Sequence, residues 1–124
     1  MVKAARVLAL FLSVFLTESS KLKSNDIAGQ YSDPNHPGCA RTIITTGRTT
    51  EVYGADAAGG EGIACDGTTD VAWGPLNGTL VIVKITVDFS PKGGPSDLSG
   101  IFKDGAINWE DGNSWLQLPP PPVA

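Results

Sequence analysis

From Arg41 onward, short runs of alternating apolar and polar residues are broken every few positions by glycine, proline, aspartate or asparagine. Alternation with a period of two marks a half-buried strand, and the breakers are turn formers. The clearest case is 98–118. Asp104-Gly105 separates Leu98–Lys103 from Ala106–Trp109, and Asp111-Gly112-Asn113 separates that run from Ser114–Leu118. Asp-Gly is a favoured centre for a type I′ hairpin, because both centre positions take positive φ. Three closing strands in a meander are predicted.

Upstream, the pattern predicts a first strand over Ile27–Tyr31 and a loop over Ser32–Gly38, where two prolines and a glycine interrupt any ladder. Arg41–Thr46 and Thr49–Tyr53 flank Gly47-Arg48, with glycine first as a type II′ turn wants. Residues 54–62 read as a loop, 62–65 and 71–73 as short strands, and 75–78 as a turn. Thr79–Phe89 is the longest apolar segment; Val83, Ile85, Val87 and Phe89 alternate with Lys84, Thr86 and Asp88. It reads either as one long bent strand or as a hairpin with a poor turn. Ser90–Asp97 is a Gly/Pro loop.

Eight or nine short strands over this length predict an all-β domain, a small antiparallel meander closed into a barrel or folded as a sandwich. Its core would draw on Ile43, Val52, Trp73, Leu80, Ile82, Ile85, Val87, Phe89, Phe102, Ile107, Trp109 and Trp115.

The first residues read as targeting. Lys3 and Arg6 precede the apolar run Val7–Leu16, and small polar residues follow to Ser20. That is the layout of a secretory signal peptide. The run is about half of the ~20 residues a membrane-spanning helix needs, so no stable span is expected. The chain divides into a leader at 1–20, a linker at 21–26, the β-barrel domain at 27–118 and a Pro-rich tail at 119–124.

Composition narrows the function classes. Nine basic residues stand against thirteen acidic ones, a net charge of −4, and no basic stripe interrupts the strands. Nucleic acid is not an expected partner, since phosphate neutralisation supplies most of that affinity. The cysteines are two, Cys39 and Cys65. In an exported chain they predict one disulfide, worth about 3–4 kcal/mol in the chain-entropy model. They form no Cys-x-x-Cys, and with one histidine they fall short of a structural zinc set. The acidic middle, Asp56, Glu61, Asp66 and Asp70, lacks calcium-loop spacing. No metal and no cofactor are expected. Asn77-Gly78-Thr79 is an N-glycosylation sequon, and Asn77-Gly78 equally reads as a turn.

The candidate chemistry lies in aromatic and loop residues. Trp109 and Trp115 bracket the Glu110–Asn113 turn, and with Trp73 and Asn113 they could form an aromatic platform beside polar groups. Alternatively the indoles pack in the core, the commoner fate of tryptophan. His36, the one histidine, could serve as a general base or a metal ligand with Asp33 or Asp88 as partner, or could brace its own loop. Asp88, Asp104, Glu110 and Asp111 are available as paired carboxylates, but so small a domain seldom offers a glycosidase cleft.

Three segments act as a set: Tyr31-Ser32-Asp33-Pro34-Asn35-His36-Pro37-Gly38-Cys39, Asp88–Leu98, and Ile107-Asn108-Trp109-Glu110-Asp111-Gly112-Asn113-Ser114-Trp115. Together they resemble a poorly characterised family of small β-proteins of algae and other photosynthetic eukaryotes, over roughly residues 27–116. The resemblance implies a plastid or secretory location, and it carries over no catalytic residue.

Two functions are expected on these grounds. The first is a non-enzymatic accessory protein, a disulfide-stapled extracytosolic domain docking on a larger assembly, in a photosynthetic host a membrane complex. Its contacts would be the loops at 32–38 and 91–97, with Asn35, His36 and Lys92. The second is a module binding a carbohydrate or another small ligand through Trp73, Trp109, Trp115 and Asn113. An enzyme built on His36 ranks below both, because it needs groups from distant loops.

Overall fold

The computed structural model describes residues 24–120; the expected leader and the end of the Pro-rich tail lie outside the described residues. Eight strands run up and down around a closed barrel. They are β1 (Gly29–Ser32), β2 (Arg41–Thr46), β3 (Thr49–Asp56), β4 (Val71–Val81), β5 (Lys84–Val87), β6 (Leu98–Lys103), β7 (Ala106–Trp109) and β8 (Ser114–Gln117). Each pairs antiparallel with its neighbour in sequence. β1 closes on β8 through Tyr31↔Gln117 and Ser32↔Leu116. Of the two expected architectures the barrel is therefore the one adopted, and its closure leaves no unpaired edge.

The period-two pattern fills the interior. Tyr31, Ile43, Val52, Leu76, Ile85 and Ile107 are each no more than 1% exposed. The bulkiest side chains need small partners opposite. A Cβ on Gly100 would come within 2.6 Å of Ile107 and 2.8 Å of Trp109, so glycine on β6 makes room for the Trp109 indole on β7. Tyr31 donates its hydroxyl to the Ile27 carbonyl at 2.6 Å, and burial holds the phenol well above its ordinary pKa.

Turn chemistry explains most of the boundaries and each departure from expectation. Asp104 and Gly105 take φ of 52° and 75°, as the type I′ reading requires. Thr79–Phe89 is the hairpin, with β4 and β5 joined at Ile82-Val83. Ile82 stands at φ 57° and is 75% exposed, so it leaves the expected core. The expected turn at 75–78 is instead the middle of β4. The register shifts between Val52 and Gly54, and Gly74-Pro75 fall in that gap, where a missing proline N–H breaks no ladder bond. Asn77 accordingly sits on the exposed outer face opposite Glu51, not at a turn tip. Residues 62–65 form no strand. Ser24–Ile27 is a single 3-10 turn, and the first strand begins after it, at Gly29 rather than Ile27.

The barrel has two unlike ends. One is closed by the short turns at 47–48, 82–83 and 104–105 and by the turn at Ser24–Ile27, whose Ile27 is 1% exposed. Gln117 Nε2 ties that turn down by donating to the carbonyls of Asp26 (2.7 Å) and Ala28 (3.1 Å). The other end carries the four longer connections, at 33–40, 57–70, 88–97 and 110–113. The Cys39–Cys65 disulfide joins the first two, with Cα atoms 5.2 Å apart. Backbone bonds from Gly62 to Asn35 and from Cys65 to Pro37, both 2.9 Å, reinforce the joint.

Candidate functional site

The mouth is organised around a buried cation. Arg41 opens β2 in phase with Ile43, so the alternation of the strand turns it inward, and it is 1% exposed. A buried charge is costly unless paired and hydrogen-bonded. Arg41 donates from Nη1 to the Ala55 carbonyl at 2.6 Å, and from Nη2 to Asp33 at 3.2 Å and Asp56 at 2.8 Å. Its guanidinium lies between the rings of Trp73 and Trp115, 5.1 and 5.7 Å from their centroids. Trp73 can lie there because Gly54 has no Cβ; one would collide with the indole.

Asp33 directly follows β1, and both its oxygens are fully used. Oδ1 accepts from the Asn35 backbone at 3.0 Å and from Asn113 Nδ2 at 2.9 Å. Oδ2 accepts from Arg41 and faces His36 Nδ1 at 3.1 Å. Burial pushes this carboxyl up, but the bonds from Asn113, Asn35 and His36 and the charge of Arg41 outweigh it and hold the group below its ordinary value. Asp56, at the end of β3, behaves alike. Burial opposes ionisation, while Lys92, the adjacent Trp73 indole and Arg41 bring it down to about 2.

Lys92 reaches this cluster from the β5–β6 connection. Asp88 accepts from the Ser90 N–H at 2.9 Å and starts a 3-10 turn over Ser90–Lys92. Lys92 Nζ then meets Asp56 at 2.8 Å and lies 4.7 Å from the centre of the Trp73 ring. One lysine thus pins its loop across the mouth.

Beneath the strap is a cavity of about 260 Å³. Phe89, Leu98, Trp109 and Trp115 form its apolar floor. Asp33, His36, Arg41, Lys92 and Asn113 form the wall, with Glu61 and Asp111 also lining it. The floor aromatics meet edge to face, Trp109 on Trp115 at 5.0 Å and Phe89 on Trp109 at 5.5 Å. Two wall and floor donors, Arg41 Nε and Trp109 Nε1, are buried without a partner. None of the lining residues carries a hydroxyl or a thiol. Among the described residues no group of three or more histidine, cysteine, aspartate or glutamate side chains is placed to hold a metal ion.

The structure brings most of the sequence-predicted residues to this one place. Trp109 and Trp115 are each 4% exposed, packed into the core, and both also line the cavity. Asn113 lies in the wall. Trp73 is half-buried outside the lining, clamped between Arg41 and Lys92. His36 lines the wall and is held by Asp33, while Asp88 is occupied in its own turn. Asn35 is exposed at the rim and Asn77 lies away from it. Sequence reasoning passed over Arg41, although its signal was present: a charge in phase with the inward residues of a strand. No protein-family model, no curated protein and no solved structure matches the chain.

Proposed function

We propose that the chain is a non-enzymatic binding module whose barrel mouth holds a small, neutral, oxygen-rich molecule with one apolar face, as a sugar or cyclic polyol presents. The composition of the mouth cavity carries this reading. Its floor is aromatic, and its Asp33 carboxylate is saturated by protein donors. At about 260 Å³ the space falls below the ~300–1,000 Å³ of drug-sized pockets, so the ligand is small. A lining without hydroxyl or thiol supports binding over covalent catalysis. Titration of tryptophan emission with mono- and disaccharides and polyols tests the reading. A saturable change that Trp109→Phe weakens supports it; emission that responds to none of these while responding to an apolar probe rejects it.

A second reading, an accessory domain docked on a larger assembly, draws on the exposure of Pro34, Asn35 and Pro37 and of Gly93–Asp97 around the mouth. Purification of the tagged protein from its own cells in mild detergent tests it. A stoichiometric complex supports it, and a lone chain rejects it. The disulfide fits an oxidising compartment outside the cytosol. Secretion, or residence in a plastid or thylakoid lumen, extends this proposal on the grounds of the leader pattern and the family resemblance.

A further inference from the structure

We propose that the β5–β6 connection is a gate, latched by Lys92, that swings off the mouth before a ligand reaches the aromatic floor. The inference deepens the binding reading above and rests on it. Trp109 and Trp115 line the cavity, yet each keeps only 4% of its surface exposed. A ring cannot lie against indoles covered to that degree. The mouth is therefore shut over its own floor, and some part of its rim has to move. Besides Phe89 in the floor, the β5–β6 connection supplies Lys92, Gly94 and Pro95 to the lining.

This connection is the one least tied to its neighbours. The other three hold one another. Cys39–Cys65 joins 33–40 to 57–70 covalently. Asn113 Nδ2 donates to the buried Asp33 carboxylate at 2.9 Å, which joins 110–113 to 33–40. Of Ser90–Asp97, only Lys92 is not exposed. Among the described residues its ammonium makes the one polar side-chain tie from this segment to the rest of the mouth, to Asp56 at 2.8 Å, with the Trp73 ring 4.7 Å away.

The remaining bonds of the segment are internal. Phe89 N–H donates to the Pro95 carbonyl at 2.8 Å, Gly94 N–H to the Phe89 carbonyl at 3.0 Å and Gly93 N–H to the Ser90 carbonyl at 3.0 Å. A segment closed on itself moves as one body. Release of a single side chain frees it to pivot on its two feet, Phe89 and Leu98, with those backbone bonds intact. The latch is also a weak one. Its two side chains are 19% and 22% exposed, and such an ion pair with a cation–π contact favours the closed state by roughly fivefold. Opening then falls within the ordinary range of loop motion.

Acrylamide quenching of tryptophan emission in the full chain tests the gate. Trp73→Phe is made first, so that the emission comes from the two floor indoles alone. In that background Lys92→Met fills the space of the lysine stem and removes its charge, and the quenching constant is expected to rise roughly fivefold. Lys92→Arg keeps the charge and should quench like its parent. Asp56→Asn breaks the same pair from the β3 side and should raise the constant as Lys92→Met does, which keeps the test open if one of the two variants fails to fold by near-ultraviolet circular dichroism. An unchanged constant in the folded charge-removing variants overturns the proposal. An equal rise in Lys92→Arg overturns it too, because the lysine would then be packing and not a latch. Acrylamide itself reports access to the floor, so the outcome does not depend on which ligand the mouth takes. The expected rise, with no response to any saccharide, rejects the sugar reading and upholds the gate.

Discussion

Two residues carry more consequence than their types announce. Ile82 holds a left-handed backbone conformation that costs a non-glycine residue about 1–3 kcal/mol. Glycine there removes the strain and adds about 0.5–1 kcal/mol of unfolded-state entropy. Ile82→Gly is therefore expected to raise stability by about 1 kcal/mol, read as a higher urea midpoint with an unchanged slope. Arg41 is the reverse case. Removing it leaves Asp33, 5% exposed, as a buried anion without its main counter-charge. Breaking such a pair costs about 3–5 kcal/mol. Arg41→Leu should lose that much in chemical denaturation, and adding Asp33→Asn should recover part of it. Both residues show why a sequence hides such sites. A turn made by isoleucine contradicts every local preference, and an arginine in a strand reads as a surface residue until its phase with Ile43 is noticed.

At the scale of elements, most strands and the loops between them were legible, and the way those loops meet was not. The closing meander and the β2–β3 hairpin follow from alternation and from Asp-Gly and Gly-Arg turns, which are local. β4 was split in the reading because Gly74, Pro75 and Gly78 imitate a turn. What makes them strand is non-local: the shifted register opposite β3 and the close approach of Thr50 and Thr86 to Gly78. The cavity wall was scattered for the same reason, since Asp33, Lys92 and Asn113 come from three connections that meet only when the barrel closes. Among the four connections at the mouth the disulfide fixes one pair. Neither cysteine lies in a strand, so the Cys39→Ser/Cys65→Ser variant should keep the barrel. It should lose about 3 kcal/mol of stability, seen as a drop of roughly 10–20 °C in Tm, and reductant should reproduce the loss in the parent.

The whole molecule is one closed shell of strands, and the carboxylates at its mouth link its stability to acid. Asp33 and Asp56 are both held below their ordinary value of 3.8 in the folded state. Lowered folded pKa values add stability that is complete above the unfolded pKa and is lost as pH falls through the folded one. Thermal melts should give a Tm that is insensitive to the pair above about pH 5. From there Tm should decline as pH falls toward about 2, to which Asp56 is lowered in the folded state. Asp56→Asn should lower Tm at neutral pH and flatten that decline. A decline of equal depth in the variant would assign the acid sensitivity to other groups.

Pairing of β1 with β8 also means that chain order and spatial order are separable in this barrel. The turn at Ser24–Ile27 and the end of β8 already touch through Gln117, so a linker of a few residues between 118 and 24 would bridge neighbours. The Gly47-Arg48 turn is exposed, and nothing packs within 4 Å of where a Gly47 side chain would sit. A circular permutant that begins at Arg48 and ends at Gly47 should therefore rebuild the same ring of strands with the same aromatic near-ultraviolet signature, its first and last strands now β3 and β2.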